Sequence, residues 1–392
     1  MLAKRTLLTV AITLGCFSLM AQNANVVNAY NYMKSGELDK AAEYIEMAIQ
    51  DPKTGVNEKT WRYRGDIYRL MVEDTTIAAQ FPEAMEKAIE SYLKALELDT
   101  KESYKQENTL ALGSLQVRSL NKGNDAFTEK DFDKAIEYYS QSERIAKSFG
   151  YADTNAVYNS ALAYESKGDH ENAIKRYREA IDIGYHKPEV FRFIATLQHK
   201  NDSIDAAIET IREGRQRFPE HKELLMDEMS YLLTADRTAE AEETVKLAIE
   251  QDPTNARLYS IQGSLFDGKA TPKEGPAPEE AEMLKWYEEA ESAYKKSIEL
   301  DPTFFDAYFN VGVLYNNRAA FEYEKCNKIK NDAEYMACKK GADEIYLKAV
   351  PYFEKAHELR PDDNQTIQQL MKLYAKTNDQ DKYQQMKAKL GN

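Results

Sequence analysis

With 392 residues, the chain is long for a single globular core, so it is either several domains or one elongated array of repeated units. Glycine (16) and proline (11) are sparse and 30% of the residues are charged; with Ala, Glu, Lys, Leu and Tyr abundant, this is the make-up of amphipathic helices and excludes a mainly β fold. A formal net charge of −14 repels phosphate backbones and anionic lipid heads, which argues against nucleic acid and bilayer surfaces as partners.

The chain opens Met1-Leu-Ala-Lys4-Arg5, continues in an apolar run from Leu7 to Met20 and reaches Ala21-Gln22. Basic region, apolar core and small residue follow in the order of a secretory signal, so residues 1–21 are expected to be removed by cleavage between Ala21 and Gln22. The competing reading is a lipid anchor at Cys16, because Thr13-Leu-Gly-Cys16 resembles a lipoprotein box; the apolar run past the cysteine, Phe17 to Met20, favours cleavage. Cleavage leaves 50 basic against 66 acidic residues, a net charge of −16. No later stretch approaches the roughly 20 apolar residues of a membrane span.

Beyond the leader one phrase keeps returning: Ala88-Ile-Glu-Ser-Tyr92, Ala135-Ile-Glu-Tyr-Tyr139 and Ala173-Ile-Lys-Arg-Tyr177. Its leading residue is alanine at all eight registers, Ala41, Ala88, Ala135, Ala173, Ala207, Ala241, Ala290 and Ala349. Four residues on comes a large side chain (Ile45, Tyr92, Tyr139, Tyr177, Ile211, Val245, Tyr294, Phe353), and three further on a mostly small one. Small, large, small at i, i+4 and i+7 mark one face of a helix that another helix approaches closely. Twelve residues before the leading alanine of the uninterrupted repeats stands a further small position, Ala29, Gly123, Ala161 or Ala195, with Met229 the exception. From Ala173 to Ala207 to Ala241 the period is 34 residues.

On these residues the chain resembles the tetratricopeptide repeat family. Trp61-Arg-Tyr-Arg-Gly65-Asp-Ile-Tyr68 and Tyr308-Phe-Asn-Val-Gly312-Val-Leu-Tyr315 reproduce the first half of that repeat, and Phe218-Pro219, Asp252-Pro253, Asp301-Pro302 and Arg360-Pro361 its closing proline. The resemblance covers about residues 23 to 392 and implies an all-α, right-handed α-solenoid of eight helix-turn-helix pairs with a polar terminal cap over 364–390. Wider spacings place insertions near 72–82, 101–115, 267–283 and 318–345. The stretch Gly268–Pro278 reads as a Pro/Gly loop and possible hinge, dividing an N-terminal array (22–266) from a C-terminal one (284–392). The last insertion reads as a helical hairpin turning at Asn331-Asp332. That turn brings Cys326 and Cys338 to similar heights on facing helices, so a disulfide is expected, worth about 3 kcal/mol for so short a loop; two reduced, buried thiols are the alternative.

Chemistry is scarce. Gly263-Ser-Leu-Phe-Asp-Gly268-Lys269-Ala270 falls one hydroxyl short of a phosphate-binding loop. The five histidines (His170, His186, His199, His221, His357) offer no zinc spacing, and no catalytic ordering or dinucleotide fingerprint appears. No enzyme activity, metal or cofactor is expected. In the family the first helix of each pair lines a concave face that binds extended peptides or partner helices. Carried across position by position, this implies a groove of Leu120, Asn124, Phe127, Tyr158, Leu162, Arg192, Thr196, His199, Met226 and Ser230. Asn124, Asn159 and Arg192 are faintly similar to a carboxylate clamp, although Leu120 stands where a clamp lysine would be. The expected role is an exported scaffold for protein or peptide partners in the periplasm or at the outer membrane of a Gram-negative-type cell. The alternatives are a chaperone-like carrier of extended peptides and a cell-wall glycan-binding accessory, for which Tyr151, Tyr185 and Tyr335 are the candidate platforms.

Overall fold

A computed structural model of the protein describes residues 24–272 and 278–390. The leader 1–21, its cut between Ala21 and Gln22, and the alternative anchor at Cys16 lie outside the described residues, as does the middle of the 267–283 loop. Packing divides the chain into two compact units, one reaching Leu197 and one starting at Gln198. Both are all-helical, and the described residues contain no strand.

In the first unit α1 (24–35) pairs with α2 (Leu38–Gln50), α3 (Glu58–Glu73) with α4 (Ala84–Leu98), α5 (Lys105–Thr128) with α6 (Phe132–Ser148) and α7 (Thr154–Lys167) with α8 (His170–Asp182), followed by α9 (Glu189–Lys200). The second unit holds α10 (Ile204–Arg217), then α11 (Lys222–Thr234) with α12 (Thr238–Gln251) and α13 (Ala256–Ala270) with α14 (Glu280–Leu300). There α15 (Phe305–Cys326) pairs with α17 (Val350–Leu359) across the inserted α16 (Asp332–Leu347), and α18 (Asn364–Lys376) with α19 (Gln380–Leu390) close the chain. Thus the tandem helix pairs read from the sequence are present.

The register explains the packing. All eight leading alanines, and the large residue four places after each, are buried. Where that large residue is aromatic, its partner on the first helix is usually glycine: a Cβ added to Gly65 would lie 2.9 Å from the Tyr92 ring, at Gly123 2.6 Å from Tyr139, at Gly263 2.7 Å from Tyr294 and at Gly312 2.6 Å from Phe353. Real Cβ atoms do not come so near, so the ring occupies the space a side chain would need. Where the large residue is smaller, the facing position widens, as in Ala29 with Ile45 and Met229 with Val245.

Helix ends follow the same register. Asp131, Asp153 and Asp169 cap α6, α7 and α8, accepting from the backbone N–H of Lys134, Ala156 and Asn172 at 3.3, 3.0 and 3.2 Å. In the uninterrupted repeats the residue five places before the leading alanine takes positive φ: Gly36 (79°), Lys130 (64°), Gly168 (85°), Asp202 (56°) and Asp236 (55°). That left-handed residue reverses the chain in a few residues, and it is absent before Ala88, Ala290 and Ala349, where insertions supply the turn.

Neighbouring pairs are joined by hydroxyls and buried ions. Tyr68 donates to Glu46 at 2.7 Å, Tyr315 to Glu291 at 2.7 Å and Tyr374 to Glu354 at 2.8 Å, each from a first helix to the second helix before it. Burial raises the pKa of all three hydroxyls. Arg64, directly before Gly65, is buried against Glu46 and Glu90, both at 2.9 Å. Glu228, directly before Met229, is buried against Arg212 at 2.8 Å and also against Arg215. The two sites share a register, since Glu46 and Arg212 each stand five residues after a leading alanine, and the charges are reversed.

The last insertion is helical, as the sequence indicates, and Cys326 and Cys338 form a disulfide with Cα atoms 5.6 Å apart. Only Ala342 of α16 is buried. Its other end is fastened by Lys376 of α18, whose ammonium lies 3.9 Å from the Tyr323 ring centroid, 4.5 Å from that of Tyr346 and 2.8 Å from Asp343. One boundary differs from expectation. Gly268, Lys269 and Ala270 continue α13 instead of opening the Pro/Gly loop, because Ala270 is buried in the core with Met283 and Tyr287.

The glycine–aromatic fit predicts that Gly123→Ala lowers the thermal midpoint by an amount corresponding to about 1–3 kcal/mol. Adding Tyr139→Ile, the combination found at Ala29 and Ile45, should recover part of the loss when unfolding is followed by circular dichroism.

Candidate functional site

The expected groove residues fall on first helices, and the structure sorts them into three groups. Leu120 and Phe127 on α5 give much of their surface to the core around Tyr139 and Ala156, and Phe127 meets Phe132 edge-on at 5.5 Å. Met226 on α11 likewise packs against the core of the second unit. These three shape the wall and offer little free surface.

A second group is tied together. The Asn124 side-chain oxygen accepts from the Tyr139 hydroxyl at 2.9 Å and from Asn159 Nδ2 at 3.1 Å, bridging α5, α6 and α7. Because both bonds go to Asn124 Oδ1, its amide nitrogen and the oxygen of Asn159 keep hydrogen-bonding capacity for a partner. Beside them the Tyr158 ring stacks on Tyr185 at 4.5 Å and tilts against Tyr177 at 5.8 Å; burial pushes the Tyr158 hydroxyl up to about 12. Leu162 is half-buried one turn on. Sequence reasoning did not join Tyr139 to Asn124 or Tyr185 to Tyr158, because both links run between elements.

The third group is set by local geometry. Arg192 is half-buried on α9, and its carbonyl accepts from the Thr196 hydroxyl at 2.8 Å. His199, exposed, meets Tyr231 edge-on at 5.5 Å, and Ser230 is exposed on α11. Of the tyrosines singled out as platforms, Tyr151 has an exposed ring and a hydroxyl bonded to Gln116 at 2.6 Å, Tyr185 is covered by Tyr158, and Tyr335 is half-buried on α16.

Gly263–Ala270 is helical throughout, so it cannot cradle phosphate as a loop. Among the described residues no cluster of three or more His, Cys, Asp or Glu is arranged to hold a metal, and no helix is long and apolar enough to cross a membrane. One titratable group is unusual. Burial pushes the Asp267 carboxyl from the ordinary 3.8 up to about 6, against a hydrogen bond from Asn317 that lowers it. Asp267 Oδ1, the Tyr287 hydroxyl and Arg318 Nε have no hydrogen-bond partner among the described residues.

The folded state therefore holds the Asp267 proton more tightly than the unfolded chain. Its stabilising contribution is complete below about pH 4 and lost as pH rises through about 6. Asp267→Asn should raise the thermal midpoint relative to the unaltered chain at pH 7.5, by an amount on the order of 2 kcal/mol. The difference should vanish by pH 4 in parallel melts.

Family models agree with the helix register. Family models described as tetratricopeptide repeat match residues 120–185 and 293–339. Among curated proteins the chain is similar to Hsp70-Hsp90 organizing protein 3 of Arabidopsis thaliana, 25% identical over 262 residues, covering 62% of this chain and 41% of that protein. It is also similar to photosystem I assembly protein Ycf3 of Synechococcus elongatus, 29% identical over 82 residues, covering 20% of this chain and 44% of that protein. The matched part is thus about two fifths of each relative's length. A solved structure, the C-terminal part of a TPR repeat-containing protein from Cytophaga hutchinsonii, overlaps with a TM-score of 0.47 at 15% identity, covering 69% of this chain and 93% of that one. By its helix register and these family models, the chain carries tetratricopeptide repeats.

Proposed function

We propose that the chain is a non-enzymatic scaffold that holds protein or peptide partners on the first-helix faces of its repeats, and that it is exported and works in an envelope assembly. The observation that carries the binding part is the Asn124–Asn159 amide bridge beside the Tyr158–Tyr185 stack. Held amides offer donors and acceptors to a peptide backbone, and paired aromatic rings offer contact area at little entropic cost. Export is supported by the basic, apolar, small order of residues 1–21 and by the Cys326–Cys338 disulfide, a bond that persists in oxidising compartments.

The runner-up is a chaperone-like carrier of extended peptides. It draws on the similar proteins, which are named for organizing Hsp70 and Hsp90 and for photosystem I assembly. A dedicated scaffold binds one partner in near-equal amount, whereas a carrier binds many extended sequences weakly.

Tyr158→Ala with Arg192→Ala is expected to weaken partner binding by about tenfold or more while helix content, read by circular dichroism, stays unchanged. Partner recovery on the immobilised double variant checks this; full recovery would remove these faces from the interface.

A further inference from the structure

A cavity lies away from the faces just described. It is an open cleft of 1360 Å³ within the first unit, bounded by the 72–82 insertion, the start of α4, the middle and end of α5 and the start of α6. Its lining touches two buried apolar clusters. One buried apolar cluster takes in Val72, Met85, Leu112 and Leu115, and a separate one begins with Ala126 and Ala135. The insertion, with its short 3-10 turn at Ala78–Gln80, forms one side of the cleft.

The lining is amphipathic and its charges are segregated. Val117 on α5, 61% exposed, lines the cleft together with Phe81 and Pro82 of the insertion. Of the lining charges, Glu83 is bonded to Lys87 and Lys134 to Asp131. Arg118, Asp125, Glu129 and Glu137 form no ion pair among the described residues. Along α5 the cations Arg118 and Lys122 come first, and the acids Asp125 and Glu129 stand at its C-terminal end. Carboxylates there oppose the helix dipole, so a partner that brings a cation to this end of α5 and an anion to the Arg118 end would relieve an unfavourable order.

The geometry points to this cleft as a docking site for an amphipathic helix of a partner protein, carrying an apolar side chain between an acidic and a basic residue about two turns apart. Arg118 and Asp125 are seven residues apart on α5, about 10 Å along the axis, which matches an acid and a base seven apart on an occupant lying beside it. At 1360 Å³ the cleft exceeds the roughly 300–1,000 Å³ of small-molecule sites, and a groove between helices suits a helix by the helix-in-groove mode. This rests on reading the chain as a protein-binding scaffold and adds a second surface to it.

The test is fluorescence anisotropy with a labelled helical peptide holding Glu and Lys seven residues apart around two leucines, titrated with the full chain. Saturable binding is expected, weakened about tenfold by Val117→Arg and unchanged in the Tyr158→Ala, Arg192→Ala variant. Arg118→Glu with Lys122→Glu makes the cleft acidic; it should lose this peptide and gain one in which Glu is replaced by Lys. No saturable binding, indifference to Val117→Arg, absence of the compensating gain, or equal binding of a proline-broken peptide would each overturn the proposal. Loss caused by the Tyr158, Arg192 change would assign the peptide to the first-helix faces and leave the cleft without a role.

Discussion

The fit of an aromatic ring on a missing Cβ sets most of the structure. At Gly65, Gly123, Gly263 and Gly312 the second helix of a pair presses a ring against the backbone of the first, which fixes the distance between the two helices. The connecting turn varies independently of it: a positive φ at Gly36, Lys130 and Gly168 closes uninterrupted repeats, while insertions close the pairs of Gly65, Gly263 and Gly312. At the position before this close approach Arg64 meets Glu46 of the preceding pair, and at the same register before Met229, with charges exchanged, Glu228 meets Arg212. Reversed polarity at one register penalises stacking a repeat on the wrong neighbour, since Arg64 would then meet Arg212 in place of Glu46.

Much of this was legible in the sequence because a repeat states its own geometry many times. The buried face, the proline closures and the turn between Cys326 and Cys338 depend on residues within one helix pair, where spacing translates directly into position. The left-handed turn was harder to read, since Lys130, Asp202 and Asp236 hold it without glycine. The α13 boundary was misplaced because Pro and Gly content speaks for the loop and is silent on the burial of Ala270.

The site was less legible than the fold. Family positions put the candidate residues on first helices, yet they do not tell that Leu120 and Phe127 lean into the core or that Asn124 is shared between Tyr139 and Asn159. The cleft beside α5 left no periodic signal, because it arises where an insertion interrupts the repeat. Individuality in this chain is concentrated at such places: the insertion at 72–82, the lengthened α5, and α16, held by a disulfide at one end and by Lys376 between two tyrosine rings at the other.

The central claim is that these surfaces hold another protein. Crosslinking in the native cell, followed by affinity purification of the chain and mass spectrometry with crosslink mapping, tests it most directly. The account predicts one dominant partner in near-equal amount, recovered from an envelope fraction and linked to the first-helix faces or the α5 cleft. Recovery of no partner, or of a broad spread of extended clients without a stoichiometric one, would contradict it.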